Sequence, residues 1–189
     1  MGEPDNTAAH VGAGSPLWPY RQPCRVTTRA PETGGYPVRQ ATRADLLEVF
    51  RIEQQSFPQP WPFAAFERFL GQPGFLVACE TAAGGDATDP GEVVGYVVSD
   101  TIPNHGRPLG HVKDLAVRPD ARGEGVGSLL LDRAVGVMAS VDAASVKLEV
   151  RETNDPAIGL YRGHGFVHRR TVPRYYDDGE AALIMVRDL

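Results

Sequence analysis

Three glycines at alternate positions, Gly123, Gly125 and Gly127, follow Arg122 and overlap the start of the apolar series Val126, Leu130, Ala134, Val137 and Met138, whose spacing predicts a helix. The start of a helix leaves about four backbone N–H groups unpaired and carries roughly half a positive charge. Glycines let those donors come close to a phosphate, and Arg122 adds a fixed cation. The segment is not a Walker loop, because no Gly-Lys-Ser/Thr follows. Nor is it the Gly-x-Gly-x-x-Gly dinucleotide motif, because Ser128 breaks that spacing. Taken alone it reads first as a Gly-rich turn between a strand and a helix, and second as an anion cradle.

Other reactive side chains narrow the field. Cys24 falls in a Pro- and Gly-rich stretch and Cys79 in an apolar strand; neither a disulfide framework nor a metal site is implied. The net charge is −5. Glu3, Asp5 and Glu32 cancel Arg21, Arg25 and Arg29, so the excess belongs to the rest of the chain. That balance argues against a nucleic-acid partner held by phosphate neutralisation. It suits a cationic partner such as an amine or a peptide amino terminus, and equally plain solubility. No apolar run approaches the ~20 residues of a membrane helix, so no membrane partner is expected. No secretory signal is visible, and Asn6 stands where a myristoylation start wants Ser or Thr. A cytoplasmic location is the expectation.

These groups need a scaffold. Residues 1–36 are rich in Pro, Gly, Ala and Thr and are expected to form a flexible or disordered extension; residues 37–189 form a single domain. Pro37–Gln40 is a short strand. Thr42 starts a helix with Asp45 as capping-box partner, running to about Ser56. The turn Phe57-Pro-Gln-Pro-Trp61 follows, with Pro62 at a first helical position ahead of Phe63, Phe66 and Leu70. Strands are expected over Gly74–Glu80, Glu92–Asp100 and His111–Val117, with a polar loop over 81–91 and a longer loop over Thr101–Pro108. Ser145–Arg151 alternates, with Val146, Leu148 and Val150 on one face and Lys147, Glu149 and Arg151 on the other. Asn154 caps a helix that Gly165 ends. Phe166–Arg170 and Ala181–Val186 close the sheet as antiparallel strands. The sum is one α/β (α+β) layer domain.

Leu115-Ala-Val-Arg-Pro119, Arg122-Gly-Glu-Gly-Val-Gly127 and Leu129-Leu-Leu131, then Glu149, Asn154, Ala157-Ile-Gly-Leu-Tyr161, Gly165-Phe166, Arg174-Tyr-Tyr176, Glu180 and Met185 together resemble the GNAT acetyltransferase superfamily. The match covers residues of about 37–188 and is similar to its RimI-like branch, the protein N-terminal acetyltransferases. The resemblance implies a mixed, splayed central sheet flanked by helices. It implies acetyl-CoA as co-substrate and no metal. The pantetheine arm would run along Leu115, Ala116 and Val117, and the pyrophosphate would sit on Arg122, Gly123, Glu124, Gly125, Val126, Gly127 and Ser128, with Asn154 and Tyr161 nearby.

The same resemblance implies direct attack of an amine on the thioester, with Glu149 as general base and Tyr161 as general acid. A peptide α-amine has a pKa of about 7.7–8.0, so its neutral form costs about 1 kcal/mol at pH 7, whereas a lysine amine costs about 4.6 kcal/mol. A weak base serves the first far better. Glu149, with an ordinary carboxyl, would need burial to raise its pKa or a water to relay the proton. Glu53, Phe57, Pro60 and Trp61 would line the pocket for the acceptor's amino terminus, and Tyr175 and Tyr176 would grip its backbone. The branch's usual Glu-Asp-Ala is replaced by Glu180-Ala181. The implied reaction is acetylation of a protein or peptide α-amine, a ribosomal protein alanine and ribosome association being candidates. A small-molecule amine acetyltransferase and a non-catalytic acyl-CoA-binding partner are the alternatives.

Overall fold

The computed structural model describes residues 35–80, 91–104 and 106–189. The chain runs β1 (Val38–Gln40), α1 (Leu46–Ser56), α2 (Phe63–Glu67), β2 (Phe75–Glu80), β3 (Glu92–Ile102), β4 (Leu109–Val117), α3 (Val126–Ser140), β5 (Ser145–Arg151), α4 (Asp155–Gly163), β6 (Val167–Val172) and β7 (Ala182–Asp188). One seven-stranded sheet has the order β1-β2-β3-β4-β5-β7-β6. Each neighbouring pair is antiparallel except β4 and β5. This is the expected mixed α/β sheet. The extension up to Gly34, Cys24 within it, and the 81–90 part of the polar loop lie outside the described residues.

Alternating side chains give the sheet two apolar faces, and a helical layer covers each. Val94, Val97, Val146 and Leu148 pack with Val126, Leu130, Ala134 and Met138 of α3 and with Ile158 and Tyr161 of α4. Val77, Tyr96, Val98 and Ala116 pack with Leu46, Val49 and Ile52 of α1 and Phe66 of α2. Gly95 sets how closely α3 lies on the sheet: a Cβ there would be 3.0 Å from the Ala116 carbonyl oxygen and 3.1 Å from Leu130 Cδ1. The Thr42–Asp45 capping box forms, with Asp45 accepting from the Thr42 N–H at 2.7 Å. Arg39 adds two 2.7 Å bonds to the same carboxylate. Two expectations shift. Pro62 is the N-cap, extended at φ −67° and ψ 147°, and α2 begins at Phe63. The loop expected over 101–108 is shorter, because β3 and β4 stay paired as far as Ile102↔Leu109.

Two irregularities create the site. The parallel pairing of β4 and β5 runs only from Leu109↔Ser145 to Val112↔Leu148. Beyond it Asp114–Val117 stays on β3 and Glu149–Arg151 stays on β7, so the sheet splits open. A bulge also interrupts β4: Ser99 faces Val112 but Val98 faces Asp114, leaving Lys113 as an extra residue. A bulge bends a strand and re-aims the side chains after it. Here it turns Asp114 to the α1 face, next to Tyr96.

Candidate active site

The split opens into two adjoining cavities. The first, of about 290 Å³, is bounded by Glu53, Phe57 and Trp61 on the α1 side, Asp114 on β4, Glu149 and Arg151 on β5, and Tyr161 and Tyr176 opposite. The second, of about 590 Å³, is bounded by Leu115–Val117, Arg122, Gly123, Gly125–Ser128, Asn154 and Leu160. Ser56, Phe57, Leu115, Asn154, Ala157 and Leu160 line both, so the two share a wall.

The second cavity fits a phosphate-bearing thioester. Gly123 and Gly125 have φ of +84° and +86° with nothing within 4 Å of a Cβ position, so the loop presents backbone alone. The first backbone bond of α3 runs from Leu129 N–H to the Gly125 carbonyl, leaving the donors of Val126, Gly127 and Ser128 ahead of it. Arg122 holds its guanidinium across the strand end, donating to the Val117 carbonyl at 2.9 Å and to Ser56 Oγ at 3.2 Å. Asn154 caps α4, its Oδ1 accepting from the Ala157 N–H at 3.2 Å. Past the split, Leu115–Val117 offers a strand edge to an extended pantetheine arm, the mode in which a peptide adds to a sheet.

In the first cavity, Glu149 is tied down on both oxygens. His111 Nε2 is 2.6 Å from Oε2, and Lys147 donates to Oε1 at 2.8 Å. Burial pushes the carboxyl up, but the His111 and Lys147 bonds and charges pull it further down, to about 2. Tyr161 lies opposite, 8% exposed and packed on Phe166. Burial, reinforced by Asp114 and Tyr176, pushes its phenol well above the ordinary range. Glu53 is 1% exposed. Its carboxylate accepts from the Trp61 N–H at 2.6 Å and from the Tyr96 hydroxyl, fixing the Phe57–Trp61 turn. Arg151 lies 4.0 Å from the centre of the Tyr176 ring and donates to Glu180 at 2.6 Å and to Asp178 at 2.7 Å.

Of the residues singled out from sequence, Glu53, Phe57, Trp61, Leu115, Glu149, Asn154, Tyr161 and Tyr176 line the first cavity. Leu115–Val117, Arg122, Gly123 and Gly125–Ser128 line the second. Three side chains stand apart. Pro60 is exposed on the outer side of its turn. Tyr175, 49% exposed, packs edge-on against Tyr176. Glu124 accepts from the Tyr36 hydroxyl, which leaves only its backbone for a phosphate. His111, Lys147 and Asp114 were missed as site residues. The strand segment His111-Val-Lys-Asp-Leu115 sets three polar residues in a half-buried strand, and that was the available signal for His111 and Asp114.

A sheet split at one parallel pair, a glycine-rich helix start beside it, and a carboxylate and a phenol lining the gap are the layout of an acyltransferase that draws on a coenzyme A thioester. The chain belongs to the acetyltransferase (GNAT) family, whose model matches residues 46–166. It is 34% identical to an N-alpha-acetyltransferase of Sulfolobus acidocaldarius over 82% of this chain and 93% of that one. The crystal structure of Ard1 from Thermoplasma volcanium superposes with a TM-score of 0.71 at 30% identity, covering 82% of this chain and 99% of the other. The ribosomal-protein-S18-alanine N-acetyltransferase from Escherichia coli gives a TM-score of 0.66 at 25% identity, over 81% and 93%. The enzyme is therefore an acetyl-CoA-dependent N-acetyltransferase.

Proposed function

We propose that the enzyme acetylates the α-amino group of a protein or peptide, and that Glu149 with His111 handles the proton of the amine while Tyr161 protonates the leaving thiolate. The observation that carries this is the first cavity. Glu149 of β5, held at 2.6 Å by His111 of β4, and Tyr161 of α4 lie on one cavity, walled by Phe57, Trp61 and Tyr176. The Sulfolobus and Escherichia coli relatives, named for α-amino and ribosomal-protein alanine acetylation, support the same acceptor class.

Magnitudes shape the base. Moving a proton from an α-ammonium near 8 to a carboxyl at about 2 is uphill by about 8 kcal/mol, too much for one side chain acting alone. Glu149 acts instead as the fixed anion that orients His111. With Glu149 ionised, Nε2 of the imidazole carries the hydrogen of the 2.6 Å bond. His111 Nδ1 faces Lys113 Nζ at 3.5 Å, so the amine passes its proton to a water held beside the Glu149–His111 pair, which relays it to solvent. The freed amine attacks the thioester carbonyl carbon, the carbon–sulfur bond breaks, and the nitrogen gives up its second proton to water as the amide forms. Tyr161, kept protonated by its burial, supplies a proton to the departing thiolate.

The discriminating experiment offers acetyl-CoA with short peptides bearing free or blocked amino termini, one of them an alanine-led ribosomal-protein sequence, and with free polyamines. Coenzyme A release is expected only with free peptide termini. Turnover on polyamines and none on peptides would overturn the acceptor class.

A further inference from the structure

Behind the Phe57–Trp61 wall, three titratable groups meet at one point. The Tyr96 hydroxyl, from β3, contacts Oε2 of Glu53 on α1 and lies 2.9 Å from Oδ2 of Asp114 on β4. A phenol owns one hydrogen and can donate to only one of two carboxylates. If both acids were ionised, the second contact would set two bare acceptors against each other in a buried place. A proton on one of the two carboxyls completes the chain, because that acid then donates to the tyrosine oxygen while the tyrosine donates onward. The Lys113 bulge is what brings Asp114 here. Both acids also border the first cavity.

We propose that Asp114 is a further positioning residue of the acceptor site, sharing one proton with Glu53 through Tyr96 so that the pair carries a single negative charge beside the incoming ammonium group. This deepens the α-amine reading and rests on it. Two ionised acids would repel each other, and two protonated ones would present no charge. One shared proton keeps one charge while satisfying every oxygen at the junction. It also holds Glu53 in the orientation that binds the Trp61 N–H at 2.6 Å, and so holds the acceptor wall. The titratable groups facing Asp114 are Glu53 from α1 and Tyr96 from β3, with Lys113 of β4, Glu149 and Arg151 of β5, Tyr161 of α4 and Tyr176 around the same cavity. Burial and the Glu53 charge both push the Asp114 carboxyl upward, in the direction a shared proton requires.

Two readouts test this. Infrared spectra of the whole enzyme at neutral pH should show a carboxylic-acid C=O band in the wild type that disappears in Asp114→Asn and in Glu53→Gln, since the acid left behind in either variant ionises. This readout needs no acceptor, so it stands or falls apart from the α-amine reading. Absence of the band in the wild type, or its survival in both variants, would overturn the proposal. The second readout is kcat/KM for a peptide. Each single variant keeps one carboxylate and should lose about threefold to tenfold, whereas the double variant should lose at least about tenfold more than the product of the two, the size of coupling seen between groups in direct contact. The loss should fall on peptide KM, with acetyl-CoA KM retained as the check on folding. Additive losses, or a full loss in Glu53→Gln with none in Asp114→Asn, would show that Asp114 shares no charge with Glu53.

Discussion

His111 and Glu149 meet at 2.6 Å across the mouth of the sheet split, although 38 residues separate them. In the parallel register His111 stands opposite Lys147, so its ring reaches one alternate residue further along β5. Glu149 is pulled from an ordinary 4.5 down to about 2. A depressed carboxyl contributes stability that is present above its unfolded pKa and lost as pH falls through its folded one. Melting temperature should therefore drop between about pH 4.5 and pH 2, and Glu149→Gln should remove that part of the drop. In activity, Glu149→Gln and His111→Asn should each lower kcat by on the order of 100-fold, the range for general-base loss. Because they act as a unit, the double variant should lose little more than either single one, as measured in steady-state assays against pH.

Tyr161→Phe removes a hydroxyl and leaves a ring that still packs on Phe166. If the hydroxyl protonates the thiolate, kcat should fall on the order of 100-fold while the binding constant of coenzyme A stays within about twofold. Full turnover in the Phe variant would remove Tyr161 from the chemistry. The buried phenol stays protonated well into the alkaline range, because its folded pKa is raised by burial. Its titration should therefore contribute no loss of activity below about pH 10, the ordinary tyrosine value.

Much of this fold was legible because its signals are local. The alternation from Val146 to Val150 placed β5, and Thr42 with Asp45 marked the approach to α1. The cradle was legible only as a possibility, since glycine spacing says nothing about what lies above it. What local signals could not carry was register. The meeting of His111 with Glu149 depends on where β4 stops pairing with β5, and the Asp114–Tyr96–Glu53 junction depends on a single extra residue at Lys113. Glu149 shows the same limit from another side. As a base it would need burial to raise its pKa or a water to relay the proton, and the partners that hold it down are its strand neighbour Lys147 and His111 on the adjacent strand.

The phosphate cradle can be tested apart from the chemistry. Gly125 sits at φ +86° as the N-cap of α3, and a side chain there costs about 1–2 kcal/mol of strain even though no atom stands in its way. Gly125→Ala should relieve that strain by rotating the loop, which turns the donors of Val126–Ser128 away from the pyrophosphate. Acetyl-CoA KM should rise about tenfold or more, with peptide KM and the pH profile unchanged. Arg122→Ala should raise the same KM less, and its effect should shrink as salt is added, because its exposed charge is screened.

Arg151 links the strand that carries Glu149 to the turn that carries Tyr176. It stacks 4.0 Å from the Tyr176 ring and donates to both Glu180 and Asp178. Glu180 has a second anchor, accepting from the Thr153 N–H at 3.0 Å and its hydroxyl at 2.7 Å, and its carboxyl is held down at about 2 by these bonds. The turn between β6 and β7 is thus pinned to the C-terminal end of β5 by Arg151 and, just beyond the strand, by Thr153. Lysine cannot fully replace it: Nη1 alone reaches both carboxylates, and an ammonium in its place leaves no planar group to lie on the ring. Arg151→Lys should therefore free the Tyr176 wall and raise peptide KM about threefold to tenfold, with a smaller change in kcat. Acetyl-CoA KM should hold, since Arg151 does not border the second cavity. A loss confined to kcat, with peptide KM intact, would mean that the turn does not hold the acceptor.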